Sequence, residues 1–223
     1  MKKKIACLHA HNSNISYIEN ALSPYDIELV HFVDPGLMHR VMTDKSFTLG
    51  DGEKKVRDQI EWIAQSAVDA ILITCTNYIT LLKEEGLSVN VPIIKIDEPF
   101  FRGICQLEQK QTILFTNPDT VPGTMSRLHQ YAQSQHKELD IEVKVIENTF
   151  ELIMSGKNEE YNKGVRDYIK QLDTTQNLSV AQLSMVAAAQ QVEDEIALTI
   201  LNPLNTLVST MVTQLNLKKA EQR

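Results

Sequence analysis

Short apolar runs recur along the chain, separated by longer amphipathic stretches. The runs are Ile5–His9, Glu28–Val33, Ala70–Cys75, Ile93–Ile96, Thr112–Thr116, Ile141–Ile146 and Ser179–Leu183. Their length and β-branched content predict strands. The run at Ala70–Ile73 is apolar at every position, as a strand buried on both faces requires. Between the runs the period changes to that of a helix. Val56, Ile60, Ile63, Ala64 and Ala67 fall on one helical face, and Val165, Ile169 and Leu172 do the same. Strands alternating with helices predict an α/β fold of parallel sheets covered on both faces.

The pattern is written twice. Val56-Arg57-Asp58-Gln59-Ile60 returns as Val165-Arg166-Asp167-Tyr168-Ile169, and Ile27–His31 returns as Ile141–Val145. Leu72-Ile73-Thr74-Cys75-Thr76 matches Val180-Ala181-Gln182-Leu183-Ser184, and Asp97–Phe100 echoes Leu201–Leu204. The common order of the matches predicts two pseudo-symmetric lobes. Each is a mostly parallel sheet flanked by helices, with the active site at the seam. The helices after Pro99 and Pro203 are expected to cross to the opposite lobe. This divides the chain into residues 1–100 plus 204–223 and residues 101–203.

Composition narrows the class. The chain has 223 residues, enough for a sizeable core. Its net charge of −7 argues against a nucleic-acid surface. The apolar run after Lys2-Lys3-Lys4 stops at His9, too short for a signal segment, and reads as a first strand. The most apolar C-terminal stretch, Ile196 to Val212, is interrupted by Asn202, Pro203 and Asn205, so no membrane span is predicted. Three widely spaced cysteines form neither a disulfide framework nor a CxxC pattern, which predicts a reducing, cytoplasmic compartment. A homo-oligomer is compatible with all of this.

In open parallel sheets, ligands lie beyond the carboxyl ends of the strands. Four such ends carry small polar residues: His11-Asn12-Ser13, Cys75-Thr76-Asn77, Thr116-Asn117-Pro118-Asp119-Thr120 and Leu183-Ser184. Turns of this kind aim backbone N–H groups at an anion, so Asn12, Thr76, Asn77, Thr116, Asn117, Thr120 and Ser184 are candidate carboxylate binders. The same residue types also serve as ordinary turn and cap residues.

Cys75, at a strand end just before a helix, is the candidate catalytic group. A helix N-terminus favours its thiolate, which can take a carbon-bound proton or attack an electrophile. Cys7 and Cys105 read as core. His9 and His11 share an HxH spacing, but no third ligand is evident, so no metal and no cofactor are predicted. His11 remains a candidate proton shuttle. Gly50-Asp51-Gly52 reads as a turn before a helix beginning at Glu53, and Trp62 as core or interface.

Asp69-Ala70-Ile71-Leu72-Ile73-Thr74-Cys75-Thr76, Pro92–Pro99 and Ala181-Gln182-Leu183-Ser184-Met185 together resemble the aspartate/glutamate/hydantoin racemase superfamily over nearly the whole chain. The resemblance implies cofactor-independent chemistry with two cysteines on opposite faces of a small carboxylate or amino-acid substrate. Cys75 is similar to the first cysteine, and Leu183 stands where the second is expected. Ser184 and His11 are then the candidates for the second face. Arylmalonate decarboxylases and maleate cis–trans isomerases of the same superfamily leave a lyase or a cis–trans isomerase as alternatives to a racemase. A catalytically degenerate protein that binds or senses a carboxylate is the alternative from another class.

Overall fold

A computed structural model describes residues 2–172, 176–196 and 198–220. The chain divides into two compact units, Met1–Asp97 with Val208–Arg223, and Glu98–Leu207.

The first unit contains strands β1 (Lys3–His9), β2 (Ile27–Val33), β3 (Ala70–Ile73) and β4 (Ile93–Lys95). Helices α1 (Asn14–Leu22), α2 (Gly36–Thr43), α3 (Leu49–Ala64) and α4 (Thr76–Leu81) connect them. The strand order is β2-β1-β3-β4, and every pairing is parallel. β1 and β3 are central, and Ile5, Leu8, Ile71, Leu72 and Ile73 are fully buried. Helix α3 buries Val56, Ile60 and Ile63 at helical spacing. The C-terminal segment returns to this unit, where Tyr25 bridges to Lys219 and the Ala220 N–H donates to the Pro24 carbonyl.

The second unit repeats the plan. Helix α5 (Asp97–Cys105) leads into strands β5 (Gln111–Phe115), β6 (Ile141–Val145), β7 (Asn177–Val180) and β8 (Ile200–Leu201). Helices α6 (Val121–Ser134), α7 (Phe150–Met154), α8 (Asn158–Lys170) and α9 (Val186–Glu195) connect them, and α10 (Pro203–Leu215) follows. The order β6-β5-β7-β8 is again parallel throughout. Alternation along β5 sends Ile113 and Phe115 to one face and Leu114 to the other. The first pair packs with Phe100, Phe101, Ile104 and Leu128 of α5 and α6. Leu114 packs with Val165, Ile169, Ala188 and Val192 of α8 and α9. Both faces are therefore covered, as an all-parallel sheet demands.

Two α/β lobes of identical strand order are what the internal repeat predicted. Four details differ. Gly50, Asp51 and Gly52 lie inside the first turn of α3, not before it. Thr48 caps that turn by accepting from the Asp51 N–H at 3.2 Å, while Asp51 accepts from the Thr48 N–H at 2.9 Å. This reciprocal cap outweighs the helix-breaking tendency of two glycines. Pro99 lies within the first turn of α5, where its missing N–H has no intrahelical bond to lose. Trp62 is 60% exposed, touching Phe32 edge-on at 5.7 Å between centroids, so it is not core. β8 has two residues, too short to leave a periodic signal. Among the described residues, no helix is long and apolar enough to cross a membrane. Of the apolar stretch 196–212, residue 197 falls outside the described residues.

Candidate functional site

The ladder that holds β3 against β1 ends where the Thr74 N–H donates to the Leu8 carbonyl at 3.0 Å. Cys75 follows with extended backbone (φ −122°, ψ 120°) as the N-cap of α4. Its thiol is half-buried, and the backbone N–H groups of Asn77 and Tyr78 point at it. Thr76 is half-buried and Asn77 exposed. Asn14, which the sequence reading passed over, reaches the Thr74 carbonyl with its side-chain amide at 3.5 Å. Tyr78 is buried and donates its hydroxyl to the Asp34 carbonyl at 2.7 Å.

The thiol's electrostatics depart from expectation. The two N–H groups favour the thiolate, but burial raises the Cys75 pKa above its ordinary value, and the Asp97 carboxylate pushes the same way. Desolvation of a thiolate outweighs two hydrogen bonds and the end of a six-residue helix. In the free protein Cys75 is thus a protonated thiol at neutral pH, not the ionised one that its place before a helix suggested.

His11 lies past the end of β1, exposed, with Nδ1 2.9 Å from the Ser13 hydroxyl and 3.2 Å from the Ser13 N–H. It does not share a strand face with His9, because β1 stops at His9. Asn12 is exposed in the same turn, and its carbonyl accepts from the Ile15 N–H. His9 instead is wholly buried. One of its ring nitrogens meets the Thr74 hydroxyl and the other meets His31, each at 2.8 Å.

In the second unit, Thr116, Asn117, Thr120 and Ser184 are brought together, but by a residue absent from the sequence-based set. The Gln182 side-chain oxygen accepts from the Thr116 N–H at 2.6 Å, the Thr116 hydroxyl at 2.8 Å and the Asn117 N–H at 3.1 Å. Gln182 Nε2 donates to the Thr120 hydroxyl at 3.3 Å. Tyr161 OH lies 3.1 Å from the Thr116 hydroxyl and 2.8 Å from the Ser184 hydroxyl. A carboxamide oxygen only accepts, so Thr116 donates to it. The chain then runs Ser184 to Tyr161 to Thr116 to Gln182. Three donors converging on one oxygen form an anion-type cradle, and the protein's own side chain fills it.

The register of the two sheets also revises the internal alignment. β7 leaves its ladder where the Ala181 N–H donates to the Leu114 carbonyl at 3.0 Å. The next residue, Gln182, is extended (φ −121°, ψ 142°) and caps the 3₁₀ turn Leu183–Met185. Counted from the last ladder bond, Gln182 occupies the step that Cys75 occupies in the first unit. Leu183 comes one residue later. The repeat as read in sequence paired Cys75 with Leu183 because strand ends carry too few landmarks to fix a register to one residue.

No family model matches the chain, and no curated protein matches it by sequence. Solved structures do. The chain is similar to an aspartate racemase of Picrophilus torridus, with a TM-score of 0.68 and 9% identity over 98% of this chain and 96% of that one. The fold is that of the racemases. The glutamate racemase of Campylobacter jejuni gives a TM-score of 0.65 at 11% identity, covering 99% of this chain and 89% of its own. The allantoin racemase of Klebsiella pneumoniae gives 0.63 at 18% identity, with coverages of 98% and 91%. The racemase fold therefore extends across both units.

Proposed function

We propose that the chain is a cofactor-independent, racemase-like isomerase that acts on a small carboxylate or amino acid through Cys75. The observation that carries the reading is the placement of a half-buried thiol at the carboxyl end of a central parallel strand, with two backbone N–H groups aimed at its sulfur. The full-length likeness to aspartate, glutamate and allantoin racemases supports it. Cys75 exchanges the substrate's α-proton. Thr76, Asn77 and Asn12 supply donors for the carboxylate or for an enolate-like intermediate, whose stabilisation by fixed donors is worth several kcal/mol. Because the free thiol is protonated, ligand binding or higher pH must generate the base.

The second unit offers no thiol at either candidate position, since Gln182 and Leu183 occupy them. Ser184 spends its proton on Tyr161. This favours a second reading, a carboxylate-binding protein of the same fold without turnover. The deciding experiment incubates the protein with small amino acids and dicarboxylates in deuterium oxide. Deuterium uptake at the α-carbon that disappears in Cys75→Ala supports the enzyme. Binding seen by thermal shift, with no uptake for any bound acid, establishes the second reading instead.

A further inference from the structure

We propose that Cys7, His9 and His31 form a binding site for a borderline-soft d-block cation of the Zn²⁺ class. The ladder pairs Cys7 of β1 directly with His31 of β2. Cys7 and His9, two residues apart on one strand, share a face. Two adjacent strands thus bring a thiol and two imidazoles to one spot, where their ligand atoms all lie within 4.8 Å of one another. The site stands apart from the reading given to Cys75 and does not depend on it.

His9 is held by its other nitrogen, and His31 has a carboxylate near its own. The Thr74 hydroxyl donates to the Leu8 carbonyl at 3.2 Å, so it accepts from His9 Nδ1–H. That leaves His9 Nε2 as a lone pair directed into the cluster. His31 Nδ1 meets it at 2.8 Å. His31 Nε2 is buried without a hydrogen-bond partner and lies 3.6 Å from the Glu19 carboxylate. With the proton on Nδ1, the Nε2 lone pair points at an anion. A cation at Nδ1 moves that proton to Nε2, where Glu19 accepts it. Histidine ligands are commonly oriented by a hydroxyl, carbonyl or carboxylate in this way.

The distances are close to those required. Zn–N bonds near 2.05 Å and a Zn–S bond near 2.3 Å at tetrahedral angles place ligand nitrogens about 3.3 Å apart and sulfur about 3.6 Å from each. The 2.8 Å pair must open by roughly half an ångström, which an edge strand allows, since β2 is the outer strand of its sheet. Binding releases the Cys7 thiol proton to solvent and forms the metal–thiolate bond. The fourth position goes to water on the half-buried His31 side. One thiolate and two imidazoles suit Zn²⁺ and Co²⁺ and disfavour Mg²⁺ and Ca²⁺.

The test uses the full chain, reduced and stripped with EDTA, and adds Zn²⁺ or Co²⁺ alone. We expect one tightly held Zn²⁺ per chain by elemental analysis after dialysis, and a Tm that rises with Zn²⁺ and falls back with chelator. Co²⁺ should produce a thiolate-to-metal charge-transfer band. Cys7→Ser should abolish that band, and Cys75→Ser should keep it. If Cys7→Ser fails to fold by circular dichroism, His31→Gln on the edge strand decides, and should weaken Zn²⁺ at least tenfold while staying folded. Absence of bound metal, a band that survives Cys7→Ser or vanishes in Cys75→Ser, or equal Zn²⁺ affinity in His31→Gln would each overturn the proposal.

Discussion

Gln182→Ala tests a polar group that gathers several strand-end donors of the second unit. The side-chain oxygen takes three donors, at 2.6, 2.8 and 3.1 Å. Truncation affects them unequally. Thr116 is only 3% exposed, so its N–H loses its acceptor with little access to water, a cost of about 1–3 kcal/mol. The Thr116 hydroxyl can rotate, and Asn117 is half-buried and can reach solvent, so together they add about 1 kcal/mol. The expected loss is about 2–4 kcal/mol. With a mid-range slope of about 2 kcal/mol/M, the urea midpoint should fall by roughly 1–2 M. Circular dichroism melts measure that fall, and amide exchange should show loss of protection at Thr116. Gln182→Glu is the control that keeps an accepting oxygen. At neutral pH its carboxylate should be held by the same three donors. Its folded pKa is then depressed, and the stability it contributes is present above the ordinary glutamate value of about 4.3 and lost as pH falls through the lower folded value. A Gln182→Ala protein within about 0.5 kcal/mol of the parent, with the Thr116 amide still protected, would refute the view that the cradle is filled from within.

Three further outcomes follow from the first unit and its relation to the repeat. Cys75→Ala should remove about 10²–10⁴-fold of any α-proton exchange while leaving the circular dichroism melt almost unchanged; exchange at the parent rate would make Cys75 a packing residue. Iodoacetamide modification of Cys75 should rise tenfold per pH unit from pH 7 to about 9 without a plateau, since burial raises the thiol pKa, and a bound dicarboxylate should slow it; a plateau near neutrality would contradict the burial argument. Native protein should racemise aspartate and glutamate poorly, and a thiol at either candidate position, Leu183→Cys from the sequence resemblance or Gln182→Cys from the sheet register, should raise racemisation, the leucine change at a stability cost of about 1–3 kcal/mol. Vigorous racemisation by the native protein, followed by chiral chromatography, would move attention to Ser184 and His11 as second-face groups.

Much of the architecture was legible because parallel sheets advertise themselves. Ala70–Ile73 and Ile113–Phe115 are apolar without alternation, and the helices between them keep a 3.6-residue period, so element type and order could be read directly. Boundaries were less legible. The strands at 70 and 177 end earlier than their apolar runs, because Cys75 and Gln182 have already left the ladder to cap the next turn. The Gly50-Asp51-Gly52 segment was misread for a similar reason, since a capping pair between Thr48 and Asp51 overrides local propensity. Within the candidate sites, Cys75 stood out by its position between a strand and a helix. Gln182 and Tyr161 were not, because their importance lies in contacts 23 to 66 residues away along the chain. The Cys7-His9-His31 cluster had a partial signal in the Cys7-Leu8-His9 strand spacing, but the third ligand comes from a neighbouring strand, which only the β1–β2 register reveals.

The structural repeat gives two strand ends similar backbone geometry with different side chains. At one, an extended N-cap residue carries a thiol that backbone N–H groups approach but burial keeps protonated. At the other, an equally extended N-cap residue carries a carboxamide that folds back onto the donors of the adjacent strand end. The second arrangement supplies internally what a bound carboxylate would supply from outside, namely an oxygen for the Thr116 and Asn117 donors. A carboxylate competing there must displace Gln182, whereas one approaching Asn77 and Asn12 displaces only water, because both residues are exposed. Under the proposed function, the two copies therefore differ in what binding would cost as well as in their chemistry, and that difference favours the Cys75 strand end as the place where a carboxylate would first be held.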